Sequence, residues 1–415
     1  LPWRGDGWSE HEAEVLAPFG QRSFWKPVFN DRVGSLFIVT DENNNENFNV
    51  YRFSPEEKCL SPVTSVGYMF GYSFSPVTNH IVMAGRNDIS GVEAFLFEVD
   101  IDDPDSLVTL VDDSSEYRIE SFETPIIDAE DGRIAVTLKK NGKRDHVCFG
   151  IYRRETGELD VIDPPGQKRT HCVPIAWRGD QLFLEMDLDG ANQDIFLYDD
   201  STGEFTCLFR NSLPLVFGQY DAASGRVLIQ TQIQDTKQDE GELILIDVDS
   251  GNILKRQQLD AVVLPWREMI CSMGGSEYLM TVREGETRAF VGIFNCRGEA
   301  EPLIRVGFEP EAQKALVTSC EMSDVTYATY DMDEHGNVRM IHGVLFMPHN
   351  LPAVESERAA LIYAHGGPTA NTAKAWSADI QFLTSLGYIV FGPNPRGSYG
   401  HGKKFESLNN ADWGG

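Results

Sequence analysis

GDQLFLEM, residues 179–186, joins a glycine turn to an apolar β run, and its reading decides the fold. The same pair of signals stands at Gly34 (SLFIVT), Asn79 (HIVMA), Gly132 (RIAVTL), Gly225 (RVLIQT) and Gly275 (SEYLMTV). With Gly179 in its place the successive intervals are 45, 53, 47, 46 and 50 residues. A period in this range marks a stacked repeat, a solenoid or a propeller.

Each unit offers a second β run after a polar loop: NVYRF at 49, AFLFEVD at 94, VCFGIY at 147, DIFLYD at 194, ELILID at 242 and AFVGIF at 289. A closing glycine turn follows in the later units, at Gly157, Gly203, Gly251 and Gly298, spaced 46, 48 and 47 apart. Short β-branched runs bounded by Gly, Asp, Asn and Ser describe four-stranded antiparallel blades rather than helical repeats. The fold class is therefore an all-β propeller with six visible blades. A seventh is expected, from the weaker stretch 307–330 or from N-terminal residues, and the sequence leaves that choice open. A row of β-sandwich domains is the other architecture, but its strands would not recur in register over six units.

Composition agrees with a large folded protein. At 415 residues the chain exceeds what one core supports, so several units are expected. Sixty-four acidic against 35 basic residues give a formal charge of −29, which repels phosphate backbones and anionic lipid surfaces. Nucleic acid and membrane are excluded as partners on that ground; solubility, or attraction of cationic peptides, remains. The seven cysteines (Cys59, Cys148, Cys172, Cys207, Cys271, Cys296, Cys320) form no C-x-x-C pair and read as reduced, mostly buried thiols. With no signal-peptide pattern, no membrane-length apolar run and no N-glycosylation sequon, a cytoplasmic location is expected. The polar loop 41–47 (DENNNEN) is a loop tip, the RGD at 4–6 an accidental tripeptide, and Glu10–Leu16 a short helix within an N-terminal extension over 1–20.

The periodicity breaks near residue 330, so the blades are assigned to 21–330 and a second domain to 331–415. There VRMIHGVLFMP (338–348) reads as a strand, and AALIYA (359–364) as a strand of the kind buried on both faces of a parallel sheet. That run ends in His365-Gly366-Gly367-Pro368. Residues 372–386 have helical spacing stopped by Gly387, and YIVF (388–391) is another buried strand. This is the opening of an α/β unit. Glycines at the carboxyl end of a parallel strand let a backbone N–H approach a developing oxyanion, because no Cβ intervenes. A plain tight turn explains them equally well at this point.

HGGP at 365–368, SLGYIVFGPNPRGSYGHGKKF at 385–405 and DWGG at 412–415 together resemble the acylaminoacyl-peptidase and dipeptidyl-peptidase branch of the prolyl oligopeptidase family. The resemblance implies an N-terminal propeller joined to an α/β-hydrolase domain, of which this chain holds the start. It implies a serine hydrolase that cleaves short peptides or acylated amino acids through an acyl-enzyme, with the propeller gating access. Gly367 is then the backbone oxyanion donor. His365, Gly366, Pro368 and Arg396 support its loop, with Arg396 holding the strand-end turn. His365 is not expected to be the triad base, because the family order is Ser, Asp, His. No G-x-S-x-G occurs in 1–415, so the nucleophile is expected after DWGG and the remainder of the hydrolase domain is an expected partner. No cofactor or metal is called for, and the other histidines lack metal-ligand spacing. Glu56-Glu57 reads as a solvated pair rather than an amine-binding site. Substrate specificity and homo-oligomerisation stay open. The rivals are an esterase, lactonase or amidase of the same fold, and a non-catalytic propeller with a hydrolase remnant.

Overall fold

Why the apolar runs are continuous rather than alternating is answered by where successive side chains go. In the strand His80–Arg86, Ile81 and Met83 join one core with Phe37, Val39 and Val50, while Val82 and Ala84 join another with Ile134, Val136 and Leu138. In the next sheet Ala135 points the other way, into a third core with Phe149, Leu182, Leu184 and Phe196. Period-two alternation thus sends each face of a strand into a different apolar layer, and both faces are buried. A polar face survives only on outer strands such as Glu158–Ile162.

The computed structural model describes residues 24–409 apart from 44, 46, 55, 88–93, 113–115, 121, 144–145, 167–168, 189–191, 212–214, 233–240, 260–261, 264–269, 275–276, 284–289, 296–302, 307–319, 334, 368–369, 399–400 and 402. The short helix expected at 10–16, the RGD tripeptide, Pro368 and DWGG lie outside the described residues.

Two units are distinguished, Glu14–Arg210 and Asn211–Gly415 with Leu1–Ala13. The first carries four antiparallel sheets, over residues 24–62, 68–111, 117–162 and 172–209. The second carries two more, over 215–259 and 262–306. Each contains a meander of four strands in chain order, as in Cys172–Arg178, Gln181–Asp187, Gln193–Asp199 and Glu204–Phe209. The six repeats read from the sequence are these six sheets.

The closing turns have a shared mechanism. Asp199 accepts the N–H groups of Ser201 and Thr202 on one carboxylate oxygen, and its carbonyl accepts from Gly203 at 2.7 Å. Gly203 takes φ of +76°, a left-handed conformation that costs glycine nothing. Asp247 and Gly251 repeat the arrangement, with Gly251 at φ +68°.

Of the stretch 307–330 offered for a seventh blade, the described residues, from Cys320 on, belong to a different sheet. Cys320–Met332, here called β1, pairs antiparallel with β2 (Val338–Pro348), so the boundary placed at 330 falls inside a strand. The alternating stretch MSDVTYATY looked blade-like because an edge strand with one face covered has the same period-two signal. β2 pairs with β4 (Ile389–Asn394), and β4 pairs in parallel with β3 (Ala360–Ile362), giving the order β1-β2-β4-β3. The core beneath holds Val344, Phe346, Val390 and Ile380, the last from α1 (Ala378–Ser385).

Two expectations need correcting here. AALIYA is not buried on both faces: β3 is exposed, with Ile362 at 76%, because among the described residues it has one neighbouring strand. The helix begins at Ala378 rather than 372, since the main chain of Thr372 is bound by a side chain of β4 and is not free to start a helix. Gly387 ends it as expected, at φ +89°. No helix among the described residues is long and apolar enough to cross a membrane.

Candidate active site

β3 and β4 run parallel in the register Ala360↔Ile389, Leu361↔Val390 and Ile362↔Phe391, and Tyr363 N–H extends the pairing to the Phe391 carbonyl at 2.8 Å. Parallel strands deliver their carboxyl ends to one side of the sheet, the usual place for ligands in α/β folds. The glycine loop that leaves β3 and the Pro-Arg-Gly-Ser turn that leaves β4 therefore meet.

Contact is made by His365, whose Nε2 lies 3.0 Å from Ser398 Oγ while Nδ1 lies 3.1 Å from the Gly366 carbonyl. Gly367 has φ of +116°, a conformation that side chains strain to adopt. Gly366 differs: a Cβ there would meet nothing within 4 Å among the described residues, so none of them demands glycine by packing. Arg396, expected to hold the strand-end turn, forms an ion pair with a neighbouring strand. Its guanidinium lies 3.4 Å from Asp331 on β1, which also binds Arg339 at 3.0 Å. The Thr329 hydroxyl and then, against a burial effect, Arg339 and Arg396 hold the Asp331 carboxyl below the usual carboxylate range. Gly397 is required by its surroundings, because a Cβ would sit 2.1 Å from the Asn409 side chain.

Four residues were not singled out from the sequence. Asn394, 1% exposed, accepts the Thr372 N–H at 2.7 Å and donates to the Thr372 carbonyl at 2.9 Å. It also reaches His342 Nδ1 at 3.1 Å, and His342 Nε2 lies 3.0 Å from Asp324. The ladder Asp324–His342–Asn394 crosses β1, β2 and β4, with His342 and Asn394 directly opposite each other. Only strand register brings these positions together.

Four other histidines lie beside structural groups. His80 lies 3.3 Å from Glu98, His146 3.1 Å from Asp163 and His171 3.5 Å from Glu185, while the His401 and Phe405 ring centroids are 5.2 Å apart in a tilted pair. Glu56 and Glu57 are exposed in a turn, as a solvated pair would be. Among the described residues Cys59, Cys148, Cys172, Cys207 and Cys320 form no disulfide, and three of them are buried. Burial pushes the Cys148 thiol up to about 12.

Residues 374–415 match the Prolyl oligopeptidase family. Dipeptidyl-peptidase 5 of Aspergillus fumigatus is 36% identical over 83 residues, which are 19% of this chain and 11% of that protein. The Bacillus subtilis protein called Uncharacterized peptidase YuxL is 32% identical over 92 residues, 22% of this chain and 13% of that one. These matches thus span only about a tenth of their curated relatives. Among solved structures, a puromycin-hydrolyzing peptidase of Mycobacterium tuberculosis aligns with a TM-score of 0.66 at 17% identity, over 95% of this chain and 61% of its own. Prolyl oligopeptidase B of Galerina marginata aligns with a TM-score of 0.64 at 12% identity, over 95% of this chain and 56% of its own. At such identities the likeness establishes the fold, a β-propeller followed by the start of an α/β-hydrolase domain.

Proposed function

We propose that this chain belongs to the prolyl oligopeptidase family and that the full-length protein is a serine peptidase cleaving short peptides or acylated amino acids through an acyl-enzyme, a reading supported by the family match over residues 374–415. The observation that carries the reading is Gly367, a strained-for-others glycine at the carboxyl end of a parallel strand, in a loop held to the neighbouring strand end. In that position its N–H supports the oxyanion of a tetrahedral intermediate. The attacking serine, its histidine and its aspartate are assigned to sequence beyond residue 415. On this reading the propeller restricts entry to short substrates and the protein works in the cytoplasm.

A second reading keeps the chemistry and changes the acyl donor to a small amide or ester. It is favoured by one observation, that the solved structures of similar fold include a peptidase described as puromycin-hydrolyzing. Comparing aminoacyl anilides, dipeptidyl anilides and simple esters as substrates separates the two.

Labelling by a fluorophosphonate probe tests both. The full-length protein should label on a serine within a G-x-S-x-G after residue 415, and residues 1–415 alone should not label. A stoichiometric adduct on a serine within 1–415 would overturn the assignment.

A further inference from the structure

We propose that Asn394 is a positioning residue for this acyl transfer, and that residues 394–398 cradle the glycine loop at both of its ends. The proposal rests on the acyl-transfer reading above. One end of the loop is His365, 3.0 Å from Ser398 Oγ; the other is Thr372, whose N–H and carbonyl are both bound by Asn394, at 2.7 and 2.9 Å. Asn394 and Ser398 are buried, at 1% and 0% exposure, and both belong to the segment that leaves β4. The Ser398 hydroxyl lies 2.6 Å from the Pro395 carbonyl, so its own turn locates it.

The clasp has a direction, and the direction sets the protonation of its neighbours. Because the Thr372 N–H needs an acceptor and its carbonyl needs a donor, the orientation of the Asn394 amide is determined by backbone alone. The second amide hydrogen then points at His342 Nδ1, which must present a lone pair. His342 accordingly carries its proton on Nε2 and gives it to Asp324 Oδ1 at 3.0 Å. Among the described residues, the other charged or titratable groups around this ladder are Lys374, 3.8 Å from Asp324, and the His401 ring, 5.4 Å from that of His342. A carboxylate, an imidazole and an amide thus hold one peptide group against β4. Gly392 lets it come down: a Cβ there would lie 2.4 Å from the Thr372 methyl group.

An oxyanion donor acts only within a few tenths of an ångström of its productive place, and a shift of about 1 Å costs on the order of 100-fold. Two anchors on one rigid element are a means of meeting that tolerance.

Asn394→Asp and Ser398→Ala in the full-length enzyme test the cradle. A carboxylate at 394 still accepts the Thr372 N–H but donates to neither the Thr372 carbonyl nor His342. The readouts are kcat per fluorophosphonate-titrated serine and KM, for an anilide substrate. Asn394→Asp should lower kcat by about 10-fold to 100-fold with KM within about threefold, and Ser398→Ala should lower kcat by roughly threefold to tenfold. If Asn394→Asp does not accumulate as folded protein, Ser398→Ala decides alone. Variants that label normally and keep kcat within about twofold of a labelling wild type remove the cradle and leave the serine-hydrolase reading standing. A wild type that neither labels nor turns over removes both.

Discussion

His365 Nε2 and Ser398 Oγ stand 3.0 Å apart, a contact between residues 33 positions apart in the chain that ties the loop after β3 to the turn after β4. A ring engaged in this way is a post for its loop.

His365→Ala in the full-length enzyme therefore discriminates two roles. Losing one net hydrogen bond is worth about 1 kcal/mol, so a kcat loss of roughly fivefold is expected from a loosened loop. Loss of a triad histidine costs on the order of 10⁶ in kcat. Steady-state turnover, normalised to labelled serine, separates outcomes so far apart, and a loss of the larger size would give His365 the triad role denied it by chain order.

A second expectation concerns acid stability. The Asp200 side chain, 5% exposed, accepts two hydrogen bonds from Arg153, at 2.8 and 3.0 Å, and one from Arg133 at 3.0 Å. Burial alone would raise its pKa, but the hydrogen bonds from Arg153 and Arg133 outweigh that and hold the carboxyl below its ordinary value. A depressed folded-state pKa contributes stability that is complete above the unfolded value, about 3.9, and is lost as pH falls through the folded one. Melting temperature followed by circular dichroism should thus decline below about pH 4, and Asp200→Asn should flatten that part of the decline. At neutral pH the variant should be less stable by roughly 2 kcal/mol, under the 3–5 typical of a broken buried pair, because Arg133 keeps Asp128 and Arg153 is partly exposed. An unchanged acid limb in Asp200→Asn would show that other carboxylates carry it.

Much of this fold is legible in the chain because a stacked repeat writes its period into the sequence. Gly179, Gly203, Gly225 and Gly251 all adopt the left-handed conformation that the turn signals imply. The signal fails at Cys320–Met332, where a strand with one covered face imitates a blade, and at 372–377, where helical spacing loses to a main chain already bound by Asn394. The site divides the same way. His365, Gly366, Gly367 and Arg396 are visible because they are consecutive or sit in a short turn. Asp324, His342 and Asn394 are 18 and 52 residues apart in sequence and become neighbours only through pairing of three strands.

Gly367 separates a catalytic loop from a merely tight one. At φ +116° any side chain is strained, by about 1–3 kcal/mol, so Gly367→Val should lower the melting temperature whatever the loop does. Stability alone therefore decides nothing, and the informative quantity is kcat per titrated serine in molecules that remain folded. If the Gly367 N–H faces the oxyanion, rotating it away should cost on the order of 10²–10³ in kcat, about 3–4 kcal/mol, with KM less affected because the charge develops only near the transition state. Gly366→Ala supplies the control: among the described residues its Cβ would meet nothing within 4 Å, so folding should be unimpaired. A fall in turnover for that variant at normal melting temperature places the substrate in that space. Normal kcat in folded Gly367→Val, alongside a lowered melting temperature, would make the glycine pair a turn and take Gly367 out of the chemistry.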